Sequence, residues 1–171
     1  LRKLETKEED MVEKTVLPQG YQAHPARMED LDGTVCLLNE WARQATGRDL
    51  FVPQDQLTEW QAPGFDMETD TQVVLSPQGK TVGYYDLWDP SDPHVLIFAW
   101  GRVHPEAPQE VEAHLLAWAE QRALRSMEKA PAGARVALQT SSDLRHWTHE
   151  RTILVPTETE AQEYYGMTVF R

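Results

Sequence analysis

The stretch RVHPEAPQEVEAHLLAWAEQRA, residues 102–123, decides how the rest of the chain is read. It opens like the end of a strand, turns through a short proline-bounded loop and enters a helix. Val111, Leu115, Trp118 with Ala119, and Arg122 with Ala123 recur there at helical spacing and mark an inner stripe that continues to Met127. A strand, a tight turn and a helix N-terminus together gather an anion, because free backbone N–H groups and the helix dipole point at one spot. A close-fitting phosphate cradle also needs glycine, which lets the backbone approach without a Cβ in the way. This turn has none. Pro108 lacks a backbone donor, and Glu110 and Glu112 fill the first turn with carboxylates that complement the dipole themselves.

Upstream, HVLIFAWGRV (94–103) is too continuously apolar for a surface strand and reads as central, buried on both faces. TQVVL and TVGYYDLW flank SPQGK, the composition of a hairpin. YQAHPAR (21–27) is a short edge strand limited by Pro25. Leu31, Val35, Leu38 and Ala42 space out a helix that Gly47 ends, and a second, shorter helix starts at Pro53. Downstream, ARVALQT (134–140) supplies another buried strand. LRHWTHERTILVP (144–156) fits no period, TETEAQEYYG (157–166) reads as a capped helix ending at Gly166, and MTVFR begins a last strand. Hairpin strands followed by strand–helix–strand predict a layered α/β (α+β) domain.

Several of these strings, in this order, resemble the GNAT superfamily of acyl-CoA-dependent N-acetyltransferases. GYQAHPARMEDL is similar to that family's opening strand and first helix, with Glu29, Asp30 and Leu31 as its acidic-Asp-Leu triplet. KTVGYYDLW is similar to its third strand, and RVHPE followed by LLAWAEQRA (115–123) to its fourth strand, loop and third helix. YYGMTVFR resembles its last helix running into the sixth strand. The resemblance implies a mixed, mostly antiparallel central sheet of six to seven strands with helices on both faces. It also implies an acetyl-CoA site splayed open between HVLIFAWGRV and ARVALQT, and acyl transfer to a small-molecule primary amine.

The same resemblance names the cofactor-binding candidates. Counted from RVHPE, the family's Gln/Arg position falls on Pro108 and its glycine positions on Val111 and Ala113; counted from Gln109, the glycines fall on Glu112 and His114. With the strand end, the set is Arg102, Val103, Pro108, Gln109, Val111, Glu112, Ala113 and His114. The tyrosine that serves as general acid in many members falls on Gln162; Tyr164 and Tyr165 nearby read as core or rim aromatics. The fourth strand holds no carboxylate base. The expectation is therefore a GNAT domain with a degenerate cofactor loop, weak or inactive by itself, joined in cis to a second GNAT domain. The alternative is a non-catalytic ligand-binding or regulatory module of the same shape.

Composition bounds the remaining readings. The 171 residues carry a formal net charge of -12, a surface that repels nucleic acid and anionic membrane. A single cysteine, Cys36 in VCLLNEWA, cannot form an internal disulfide; it reads as a core residue in a cytoplasmic protein. Residues 1–19 form a charged arm ahead of a domain spanning 20–171, which stops within the sixth strand and is expected to continue. Asp86, Asp89 and Asp92 flank the turn after the third strand and read as solvated loop carboxylates that could meet a cationic amine. His104 reads as a turn residue. His146, His149 and Glu150 lack a third ligand and the HExxH arrangement, so no metal is expected.

Overall fold

The computed structural model describes residues 16–89, 92–134, 136–141 and 148–154. β1 (Gln22–His24) leads through a 3₁₀ turn into α1 (Leu31–Thr46). Gly47 closes that helix in the left-handed conformation, φ 79°, with its N–H on the Arg43 carbonyl at 2.8 Å. α2 (Pro53–Trp60) starts on its proline. The single turn α3 (Met67–Asp70) carries no signal a helical period could reveal; Asp66 caps it by accepting the Glu68 N–H at 3.0 Å. β2 (Thr71–Leu75) and β3 (Thr81–Trp88) form the expected hairpin, and Gly79 supplies the positive φ its turn requires. β4 (Leu96–Val103), α4 (Gln109–Ser126), β5 (Val136–Ser141) and β6 (Thr148–Leu154) follow.

Among the described residues, one sheet holds six strands in chain order. Every neighbouring pair is antiparallel except β4 and β5, which run parallel because α4 crosses between them. The mixed, mostly antiparallel sheet is therefore present. β6 is the strand that sequence periodicity leaves unassigned; its pairing with β5 slips register twice, which breaks the alternation a reader would look for. The expected last helix, the final strand and most of the arm lie outside the described residues.

Two apolar clusters, one on each sheet face, hold the layers together. α4 lays Val111, Leu115, Ala119 and Ala123 on one face, against Val74, Leu87, Ile97, Ala99 and Val136. α1 and α2 cover the other with Leu37, Leu38 and Trp60, against Val73, Tyr84 and Trp100. Small residues late in the α4 stripe bring that helix close to the sheet. Gly83 belongs to the same fit, since a Cβ there would stand 2.9 Å from Leu115 Cδ1.

Cys36 is corrected by this packing. The inner face of α1 is Thr34, Val35, Leu37, Leu38, Asn39 and Ala42, and residue 36 turns out of it into solvent.

Gly101 is held tighter still. A Cβ there would fall 2.0 Å from the Tyr84 carbonyl oxygen, a backbone atom that cannot swing aside. Gly101→Ala is expected to cost about 3 kcal/mol, the upper end of ordinary overpacking, read as a lower urea midpoint with an unchanged slope.

Candidate functional site

The site begins where the sheet opens. β5 pairs with β4 from Leu96 to Trp100, and Ser141 is the last rung. Among the described residues, Gly101, Arg102 and Val103 run on with strand pairing from β3 alone. His104 donates its N–H to the Val82 carbonyl of β3 at 2.8 Å. Alternation then turns the backbone groups of Gly101 and Val103 away from β3, toward the β5 side of β4.

Both carbonyls on that edge are engaged by side chains of the same chain. Trp41 Nε1 of α1 donates to the Val103 carbonyl at 2.9 Å, and Arg102 Nη1 donates to the Gly101 carbonyl at 2.8 Å. The Arg102 guanidinium also lies over two indoles, its central carbon 5.5 Å from the Trp41 ring and 5.3 Å from the Trp100 ring. Beside this edge lies a cleft of about 400 Å³ whose lining includes Trp41, Tyr85, Arg102, Pro108, Gln109 and Glu112.

The loop between β4 and α4 is braced rather than free. His104 Nδ1 accepts the Glu106 N–H at 3.1 Å, and its Nε2 lies 3.1 Å from Glu40 Oε2. Lys80 holds the other Glu40 oxygen at 3.1 Å. His104 is thus a turn residue, as its sequence position indicates, and it also ties the loop to α1.

Of the eight residues singled out for cofactor binding, Arg102, Val103, Pro108, Gln109 and Glu112 line this cleft. Val111 does not. It is fully buried against the sheet, so a glycine at that position would open a cavity in the core rather than a cradle. Ala113 and His114 lie half-buried on later faces of the first turns and do not line the cleft. Trp41, Tyr85 and Gly101 are among the cleft residues outside the set that sequence reasoning singled out. Trp41 reaches its partner across 62 positions, a pairing no local pattern encodes.

On the α1–α2 side, β3 carries a buried polar network. Trp60 Nε1 donates to the Tyr84 hydroxyl at 2.8 Å and Gln56 Nε2 to the same oxygen at 3.3 Å; Tyr84 in turn donates to Asp86 Oδ2 at 3.0 Å. Asp86 is 1% exposed and its Oδ1 has no hydrogen-bond partner. Burial pushes its carboxyl up to about 8, with the Glu59 and Asp70 charges adding to the rise while hydrogen bonds from Tyr84 and Trp88 oppose it. Burial, and then the neighbouring Asp55, also raises Glu59 above the ordinary carboxylate range. Burial and the adjacent Asp86 push the Tyr84 phenol well above its own.

Asp86 and Asp89 are therefore corrected. Asp86 sits inside the strand and faces the core, because the alternation that buries Tyr84 buries the residue two places on. The Asp89 side chain is 5% exposed, with His94 Nδ1 at 2.8 Å and Lys129 Nζ at 3.6 Å. Asp92 alone is exposed, as expected of a loop carboxylate.

Among the described residues no cluster of three or more His, Cys, Asp or Glu side chains could hold a metal ion. No helix among them is long and apolar enough to cross a membrane. His146, Gln162, Tyr164 and Tyr165 lie outside the described residues.

No family profile matches the sequence, and no curated protein matches it. Solved structures do. A GCN5-related N-acetyltransferase from Sphaerobacter thermophilus superposes with a TM-score of 0.64 at 24% identity, over 73% of this chain and 39% of that one. A GCN5-related N-acetyltransferase from Kribbella flavida gives 0.52 at 18%, over 71% of each chain. A GNAT superfamily phosphinothricin acetyltransferase from Sinorhizobium meliloti, in complex with AcCoA, gives 0.52 at 16%, over 71% of this chain and 65% of that one. At these identities the likeness is one of fold, and the fold is that of the GNAT N-acetyltransferases. This chain spans about two-fifths of the length of the Sphaerobacter structure.

Proposed function

We propose that this chain, which has the GNAT fold, is a domain of an N-acetyltransferase that acts on a primary amine, and that by itself it holds acetyl-CoA weakly or not at all. The observation that carries this reading is the open edge of β4. An extended ligand bearing amides would pair with the Gly101 and Val103 carbonyls, and Arg102 and Trp41 already occupy both.

The residues present do not fit the group. Displacing an internal hydrogen bond to make one with a ligand exchanges like for like, so each capped carbonyl forfeits the ~1 kcal/mol it would otherwise contribute. At the phosphate end, the turn into α4 has no glycine, Pro108 offers no N–H, and Glu112 stands in the cleft. Glu112 is exposed, so its repulsion of a phosphate ~5 Å away is below about 1 kcal/mol at the dielectric of water. The engaged carbonyls and the missing donors weigh more than the charge.

Calorimetric titration of acetyl-CoA into the protein tests the reading. The expected result is no saturation up to about 1 mM, a free energy no better than about −4 kcal/mol, and no acetyl transfer to simple amines above background. Micromolar affinity accompanied by transfer to any amine would overturn it.

The acetyl transfer is assigned to a longer protein in which a second GNAT domain in cis carries an intact phosphate loop, with residues 1–19 as the arm and 20–171 as this domain. A cytoplasmic location suits a sequence with one exposed thiol. The mass of the native protein in its source cells tests the second domain. A second reading, a non-catalytic ligand-binding or regulatory module, is favoured by one feature: the cleft of about 400 Å³ still has room for a small ligand.

A further inference from the structure

A strand edge that outruns its neighbour offers unpaired backbone groups to whatever lies beside it, and proteins commonly cover such an edge. Here the cover consists of side chains. The Trp41 indole donates to the Val103 carbonyl at 2.9 Å, and its ring carries the Arg102 guanidinium that donates to the Gly101 carbonyl at 2.8 Å. Trp41 therefore caps the Val103 carbonyl directly and shares with Trp100 the support of the cation that caps the Gly101 carbonyl. It also forms part of the wall of the cleft itself.

We propose that Trp41 is the stopper of this cleft: a small ligand with secondary amides pairs along Gly101–Val103 only when the indole leaves, and Trp41 thereby sets the affinity of the site for such chains. The inference rests on the functional reading above, which it deepens by naming the residue responsible. While the indole stays, its N–H already engages the Val103 carbonyl that a ligand N–H would use. When it leaves, the ligand's N–H replaces the indole N–H and the strand edge adds little net affinity. Phenylalanine at this position keeps an aromatic ring beneath Arg102 but donates nothing, so the Val103 carbonyl becomes available.

Pantetheine, a phosphate-free chain with two secondary amides, is the probe; coenzyme A is the comparison. Calorimetry on the folded wild type, Trp41→Phe and Glu112→Gln reads the dissociation constants. Trp41→Phe is expected to bind pantetheine about five- to tenfold more tightly than wild type, the equivalent of about one hydrogen bond. Glu112→Gln, which removes a charge at the phosphate end, should tighten coenzyme A by a larger factor than pantetheine. A folded Trp41→Phe that binds pantetheine no more tightly than wild type, or does not bind it, overturns the proposal.

Should Trp41→Phe fail to fold, wild type labelled with ¹⁵N at its indoles serves instead. Saturating pantetheine must move the Trp41 Nε1–H resonance, and a resonance that stays put with pantetheine bound overturns the proposal equally. Tight coenzyme A binding by the wild type would sink the functional reading. An unchanged wild type to Trp41→Phe ratio would sink only the role of Trp41.

Discussion

Replacing Asp86 with asparagine raises the melting temperature, and raises it more at pH 9 than at pH 5. The folded carboxyl titrates near 8 because it is buried, whereas the unfolded one titrates near the ordinary value of 3.8. The fold therefore binds this proton more tightly than the unfolded chain does. Its contribution to stability is fully present below about pH 4, is lost progressively as pH rises, and is gone above about pH 8. Over that window the loss is on the order of 5 kcal/mol. Asparagine imitates the protonated acid, still accepts the Tyr84 hydroxyl and has no charge to bury. At pH 9 the variant should melt about 10 °C above wild type, given about 2–4 °C per kcal/mol for a domain of this size; at pH 4 the two should nearly coincide. Equal melting temperatures at both values would show that Asp86 is not held protonated. Glu59, Asp70 and Tyr84 all bear on Asp86 and stay in place in the variant, so the pH-dependent difference reports this carboxyl together with its coupling to them.

Arg122→Met should produce the largest loss. Arg122 Nε donates to Asp70 Oδ1 at 2.7 Å, Nη2 lies 2.6 Å from the same oxygen, and Nη1 donates to Ser126 at 3.0 Å. Asp70 Oδ2 accepts the Asp66 N–H at 3.0 Å, so this one carboxylate fixes α3 and fastens it to α4. Both partners are nearly excluded from water. Removing the cation leaves a buried, unpaired carboxylate, which costs about 3–5 kcal/mol. Replacing both residues, with Asp70→Leu added, removes the stranded charge and should recover part of that loss. Urea midpoints for the two singles and the double form a cycle whose coupling term should exceed 1 kcal/mol; simple additivity would mean that the ion pair contributes nothing. Asp70 also raises Asp86, so Arg122→Met should shift the Asp86 titration upward as well.

Sequence periodicity carries a reader through most of this fold. The α1 stripe, the proline start of α2, the SPQGK hairpin, and the continuous apolar run of β4 ahead of α4 all stand where the pattern places them. Each is a local signal, written within one or two turns of chain. The failures are of another kind. Asp86 looks like a loop residue until the strand is seen to extend through it. Cys36 sits in an apolar run but a third of a turn off the buried face. β6 hides its alternation in two register slips. The cleft was half legible: the strand, the turn and the glycine-free helix start show in the sequence, whereas the capping of β4 by a helix 62 positions upstream depends wholly on tertiary packing.

The outward turn of Cys36 gives the chain one thiol, on the solvent side of the helix that also carries Trp41. Five positions separate the two, about 7.5 Å of rise along the axis. A maleimide dye would therefore attach at a single place without engineering, close enough for the indole to quench it. Fluorescence intensity would then follow the tryptophan's excursions one molecule at a time.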